Sequence, residues 1–385
     1  MRALVRMIGP WYLQLGEGVR RVDIHNKQTL IQEIQAFEQG KQRLIIAFRH
    51  TAKEDAPVIL VGIKQMHLRF LYGRDVLNWA GKVTRFLFPR LGFVAVQNRF
   101  TNREGIELLK RELKEGRFPL CLAPEGQVTY HMFHCAELQA GLASFALWAM
   151  ESTKEVTILP VATGYVHPPT LDELFSRWQQ KSSHTLVTEN RIDEAIDHTL
   201  SLVAHAFDLE DKQERSFAER RDSLCTQLLE KGEQLAGIGQ VGTSTLDRLF
   251  ALRYAGQDIL FGSEPYEQAR KDEAKTFLAY SQVVDILEYL DRGYTEGRAT
   301  EMRQKELVLN LLDVINRFEG GSINTRYTPK GKQAHLLVGE PIRVNPLIQE
   351  TASRKQRLSV IDSATYTSLE KTSKELESIM LALSE

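Results

Sequence analysis

RLIIAFRHTAKEDAPVIL, residues 43–60, sets the terms for the rest of the chain. RLIIAF (43–48) and APVILVGI (56–63) are short apolar runs rich in Ile and Val, and they read as buried strands or strand edges. The charged segment between them carries His50 and Asp55 in a post-strand loop. Outward from here, GFVAVQ (92–97), FPLCLAP (118–124) and VTILPVATGYV (156–166) have the same texture. Residues 103–115 and 136–150 read as helices: Ile106, Leu109 and Leu113, then Leu138, Leu142, Phe145 and Ala149, recur at three- and four-residue steps. Alternation of this kind makes an α/β fold.

Beyond residue 170 the texture changes. Residues 171–318 hold almost no strand-like runs. Ile192, Ala195, Ile196, Leu200, Val203 and Phe207 make one helical face. Phe277, Tyr280, Val284 and Leu287 make a second, and Leu307, Leu311, Val314 and Ile315 a third. After Gly320-Gly321, AHLLVGEPIRV (334–344) restores strand character and 369–383 closes as a helix. The division expected is a core over 1–170, a large all-helical insertion over 171–320, and a return to the core over 321–385.

The 385 residues carry a formal net charge of −1, which argues against bulk nucleic-acid binding. Cys121, Cys135 and Cys225 are odd in number and widely spaced, the usage of a reducing compartment. No run of 18 apolar residues occurs, and Arg2, Arg6 and Pro10 interrupt the N-terminal apolar stretch. The expected location is the cytoplasm, with any membrane contact peripheral.

An alcohol is a poor nucleophile at neutral pH, so acyl transfer to it needs a base. An imidazole whose other nitrogen is held by a carboxylate supplies one. Five residues apart on one helix, His50 and Asp55 would diverge by about 140°, so the segment has to turn for them to touch. His167 and Asp172 repeat the spacing in HPPTLD, whose prolines indicate a turn; this pair reads as a decoy. Residues 237–242, GIGQVG, match a dinucleotide fingerprint by letter, but helical sequence precedes them and they read as a loop between helices.

Three further blocks follow His50 in order: Gly92 to Arg99; LAPEGQ (122–127), in which Gly126 lets backbone approach a ligand; and ILPVA (158–162), whose Pro160 suggests an edge strand or bulge. Together with His50 and Asp55 they resemble the phospholipid and glycerol acyltransferase family, of which the 1-acylglycerol-3-phosphate acyltransferases are members. The likeness spans about residues 1–166 and resumes at VGEPIRV (338–344). It implies a mixed sheet flanked by helices. It also implies that His50 deprotonates the acceptor hydroxyl and Asp55 holds the imidazole. Arg99, Pro124, Glu125, Gly126, Gln127 and Pro160 would form the acceptor site, with no metal and no resident cofactor. The implied partners are a lysophospholipid, an acyl carrier protein or coenzyme A thioester, and a membrane surface. Gln127 stands where the family usually has Thr or Ser, and Val128 where many members have Arg. His131 and His134 could supply another polar contact.

Residues 64–99 interleave Lys64, Arg69, Arg74, Lys82, Arg85, Arg90 and Arg99 with Phe70, Tyr72, Trp79, Phe86, Phe88 and Phe93, a pattern suited to an anionic bilayer surface. Residues 1–15, with Trp11 and Tyr12, read as a second interfacial element.

Overall fold

The computed structural model describes residues 2–64, 66–73, 81–96, 103–139, 141–262, 264–351 and 353–383. They form two compact units, one of residues 1–168 with 330–385, the other of 169–329.

The first unit is α/β, built on a mixed eight-stranded sheet. Strand β1 is Val19–His25, β2 Gln42–Phe48, β3 Arg69–Gly73, β4 Phe93–Val96 and β5 Leu120–Leu122; β6 is Glu155–Val166, β7 Lys332–Val338 and β8 Ile342–Arg343. Their order is β1-β7-β6-β2-β5-β3-β4, with β8 paired to β6. β2 lies between β5 and β6 and parallel to both, with Leu44 to Phe48 buried, as expected of a strand covered on two faces. β6 is parallel to β2 and antiparallel to β7, which makes the sheet mixed. Among the described residues before 168, the helices of this unit are α1 (Arg2–Leu15), α2 (Lys27–Glu38), α3 (Asp55–Gly62), α4 (Gly81–Leu91), α5 (Arg103–Glu115) and α6 (Leu142–Met150).

Three expectations need correction. APVILVGI is helix α3, not a strand: the Val58 N–H donates to the Glu54 carbonyl at 2.9 Å and Ile63 to Ile59 at 2.8 Å. A short apolar run fits either a buried helix or a strand. Pro57, in the first turn, gives up an N–H that would have had no intrahelical partner. Residues 136–139 are not helical, because the Ala136 N–H donates to Glu125 and the Gln139 N–H to the Pro124 carbonyl. Pro160 sits in a central strand rather than at an edge, although the bulge half of the expectation has a counterpart. Its carbonyl accepts the Gly339 N–H at 2.9 Å, where β7 has ended and β8 not begun. The proline's missing donor therefore faces that break rather than a continuous ladder.

The second unit is all-helical among the described residues: α7 (Leu171–Ser182), α8 (Arg191–Phe207), α9 (Phe217–Ala236), α10 (Thr245–Phe261), α11 (Gln268–Leu287) and α12 (Glu301–Phe318), with a single 3-10 turn at Arg292–Tyr294. Thr170 and Ser216 close capping boxes at the starts of α7 and α9. The unit ends at 329 instead of the expected 320 because the segment after α12 folds back on it. Arg326 donates to Asp313 and Asn310, and Asn316 to the Ser322 carbonyl. The GIGQVG loop joins α9 to α10, with Gly237 left-handed at the end of α9.

Back in the first unit, α13 (Val344–Leu347) is followed by α14 (Arg354–Ala382), which begins well before the expected 369 and packs on β6 and β7. No helix of the described residues is long and apolar enough to cross a membrane.

Candidate active site

Parallel α/β sheets present ligand sites where loops leave the carboxyl ends of their strands. The loop after β2 carries Arg49, His50 and Thr51, and the loop after β5 carries residues 123–129. The two are tied together, for the His50 N–H donates to Glu125 Oε2 at 2.7 Å and the Thr129 N–H donates to the His50 carbonyl at 2.8 Å. Both polar groups of the His50 backbone are thereby fixed.

Asp55 is the first residue of α3, and the intervening turn brings it back to the imidazole. Nδ1 of His50 lies 3.2 Å from Asp55 Oδ2, which also accepts the Ala52 N–H at 2.8 Å. The other oxygen, Oδ1, accepts the Tyr165 hydroxyl of β6 at 2.5 Å. Asp55 is fully buried, whereas the His50 side chain keeps 24% of its surface exposed. Among the described residues the His50 ring hydrogen-bonds to Asp55 alone. An Nδ1–H donated to Asp55 leaves Nε2 as the free lone pair, the arrangement a general base requires. The Phe48 ring meets the imidazole edge-on at 5.9 Å.

Glu125 is occupied by groups of the protein itself. Its side chain has no exposed surface, and its Oε1 pairs with Arg49 Nε at 2.9 Å and accepts the Ala136 N–H at 3.2 Å. Arg49, equally buried, also donates to Ser373 of α14 and to the carbonyls of His131 and His134. Burial opposes the charge on Arg49, but Glu125 beside it raises the guanidinium above its ordinary value. Glu125, expected at the acceptor head group, is placed where it supports the His50 loop through Arg49 and the His50 N–H. Pro124 is buried beside it, Gly126 is exposed and Gln127 half-buried. Gly126 has φ +77°, and a Cβ there would come within 2.8 Å of Gln139, so the turn calls for glycine.

Of the remaining candidates, Gly92 has φ +97° and a Cβ on it would meet the Leu68 carbonyl at 2.2 Å, which accounts for the glycine on backbone grounds. Arg99 lies outside the described residues, as do Arg74 and Trp79. Asp172 pairs with Arg191 at 2.7 Å on the surface. His131 is buried, while the ring of His134 approaches Glu370 at 3.9 Å.

The interfacial reading of 64–99 shrinks. Arg69 is neutralised by Glu112 through two 2.6 Å bonds, and Phe70, Tyr72, Phe88 and Phe93 pack against one another. These aromatics contribute to packing, although Phe86 remains exposed beneath the Arg90 guanidinium.

Tyr165, Arg49, Glu54 and Lys332 had no signal in the local sequence. Lys332 Nζ lies 2.6 Å from Glu54, and both are buried. Tyr165 is 110 residues from Asp55, and only the pairing of β6 beside β2 brings it there. The three cysteines are free and buried, and burial pushes the Cys121 and Cys135 thiols up, away from thiolate chemistry. Among the described residues no three His, Cys, Asp or Glu side chains are grouped as metal ligands would be. No family model and no curated protein matches the chain.

Proposed function

We propose that this chain is an O-acyltransferase that moves a fatty acyl group from a thioester of acyl carrier protein or coenzyme A to the hydroxyl of a lysophospholipid, with 1-acylglycerol-3-phosphate the first acceptor to test. The observation that carries the reading is the His50–Asp55 pair at 3.2 Å, with the carboxylate buried and the imidazole open. In this mechanism Nε2 takes the hydroxyl proton as the oxygen attacks the thioester carbonyl. The new C–O bond forms, the C–S bond breaks, and the imidazolium returns the proton to the departing thiolate. Asp55 stabilises the imidazolium throughout. Direct transfer suits a ring with no hydroxyl or thiol nucleophile hydrogen-bonded to it among the described residues.

One observation favours a different lysolipid or lipid alcohol as acceptor. Val128 is buried, so the position where many members of the resembled family place an arginine offers no cation to a phosphate. A catalytically inactive membrane scaffold is the reading of another class; the assembled dyad counts against it. Peripheral attachment to a bilayer draws support from α1, where Met7, Ile8, Trp11, Tyr12 and Leu15 form one exposed stripe while Leu13 packs inward.

The deciding experiment offers labelled acyl thioesters of both carriers to the purified protein with a panel of lysolipids. Transfer to lysophosphatidate is expected. Transfer to another acceptor alone selects the second reading, and transfer to none from either donor ends both. On anionic liposomes, Trp11→Ala is expected to weaken co-sedimentation by about tenfold, the loss of one buried aromatic. Equal binding by both proteins would remove α1 from the membrane contact.

A further inference from the structure

The chain of contacts that begins at His50 does not stop at Asp55. Tyr165 Oη donates to Asp55 Oδ1 at 2.5 Å, while Oδ2 serves Ala52 and the imidazole, so the carboxylate is held at both oxygens. Tyr165 lies on β6, whose register is fixed on one side by β2 and on the other by β7. Its ring is buried, with Lys332 Nζ 5.4 Å from the ring centroid, and Lys332 is itself bound to Glu54. Glu17, Glu54 and Lys332 are the other charged groups bearing on this phenol, and Lys53 adds to the field at Lys332.

We infer that Tyr165 is a positioning residue that sets the basicity of His50 through Asp55, an inference that deepens the proposed acyl-transfer reading and rests on it. Two effects follow from the geometry. The O–H fixes the plane of the carboxylate, so that Oδ2 and not Oδ1 faces Nδ1. It also draws negative charge toward Oδ1, which tempers the pull of Asp55 on the protonated ring. Burial, followed by the charges of Asp55 and Glu54, pushes the phenol well above its ordinary range, so it stays an O–H donor at every pH at which the protein works.

Removal of that donor concentrates charge on Asp55 and stabilises the imidazolium. The neutral, basic ring then appears at higher pH. The test is an NMR titration of ¹³C-labelled histidine in the full chain, with His50 assigned among the ten histidines by its disappearance in His50→Gln. In Tyr165→Phe the His50 midpoint is expected to rise by about 0.5–1 pH unit. A midpoint unchanged from wild type overturns the inference. Should Tyr165→Phe fail to fold, wild-type sequence grown with 3-fluorotyrosine supplies the opposite perturbation. Its more acidic phenol donates more strongly and is expected to lower the midpoint; no movement there is equally fatal. A role confined to orienting the carboxylate would instead lower the midpoint in Tyr165→Phe, because the Asp55–imidazole contact would loosen, and that outcome also overturns the inference. The titration needs no substrate, so a wild-type protein that transfers no acyl group defeats the proposed function while leaving Tyr165 under test. If transfer is found, the acid limb of kcat/KM in Tyr165→Phe is expected to move with the titration.

Discussion

Two buried charge networks, one in each unit, look alike until their ends are compared. Around β2 the network runs from Arg49 and Glu125 to the backbone of His50, and from Tyr165 through Asp55 to its ring. In the helical unit, Arg317 joins Asp313 at 3.1 Å and Asp285 at 3.2 Å, with Arg326 on Asp313 and Arg253 on Asp285. There, burial would lift the Asp285 carboxyl, yet Arg253 and Arg317 hold it below the usual carboxylate range. Every member of that helical cluster answers another full charge. The β2 network instead terminates on an imidazole that reaches solvent. Buried charge alone does not mark a site; the open end at His50 is what the proposed function rests on.

The comparison can be broken at four places. His50→Ala is expected to cost about 10²–10⁴-fold in acyl transfer with the circular dichroism spectrum unchanged; full residual activity would leave the open end without a role. Arg317→Met removes the guanidinium that Asp313 and Asp285 share, leaving them Arg326 and Arg253 respectively, and is expected to lower unfolding stability by about 1.5–3 kcal/mol in chemical denaturation. The same variant should retain wild-type turnover at temperatures where it is folded. Lost turnover in the folded variant would mean the helical unit's network is not purely structural. Glu125→Gln leaves Arg49 buried against a neutral amide and takes the charged acceptor from the His50 N–H. A stability loss of about 1–3 kcal/mol is expected together with a fall in kcat, because this residue serves both fold and loop. A fall in KM affinity with kcat intact would return Glu125 to the acceptor site.

The smallest effect concerns Glu370 of α14. Burial would raise its carboxyl, but the nearby His134 ring, the Cys135 N–H and Lys374 hold it down to about 2. A depressed carboxylate contributes stability that is complete above its unfolded value, about 4.3, and is lost as pH falls toward the folded one. Wild type should therefore lose stability between about pH 4.5 and 2 more steeply than Glu370→Gln, a difference readable from Tm against pH.

Much of the sheet was legible because β2, β5 and β6 are apolar runs that burial on two faces demands. β1, VRRVDIH, escaped because an edge strand half open to solvent needs no apolar run, and β3 escaped inside a segment whose arginines suggested a surface. Helix α3 was misread because period alone cannot tell eight apolar residues of helix from strand. At the site, His50 and Asp55 were visible since they are local in sequence. Tyr165, Lys332 and Ser373 were not, because their approach is set by strand register and by a helix more than 320 residues away from Arg49. The direction in which Glu125 points was hidden for the same reason, since its partner lies on the neighbouring strand's loop.

The position of Ser373 has a consequence for synthesis. Arg49 leaves the ribosome early, yet one of its partners, and the Glu370 that caps the Cys135 N–H, belong to a helix translated after the whole second unit. Until that late segment arrives, a nascent chain carries a guanidinium with an unfilled side. A ribosome stalled before residue 370 would therefore hold Arg49 and Cys135 without their contacts to α14.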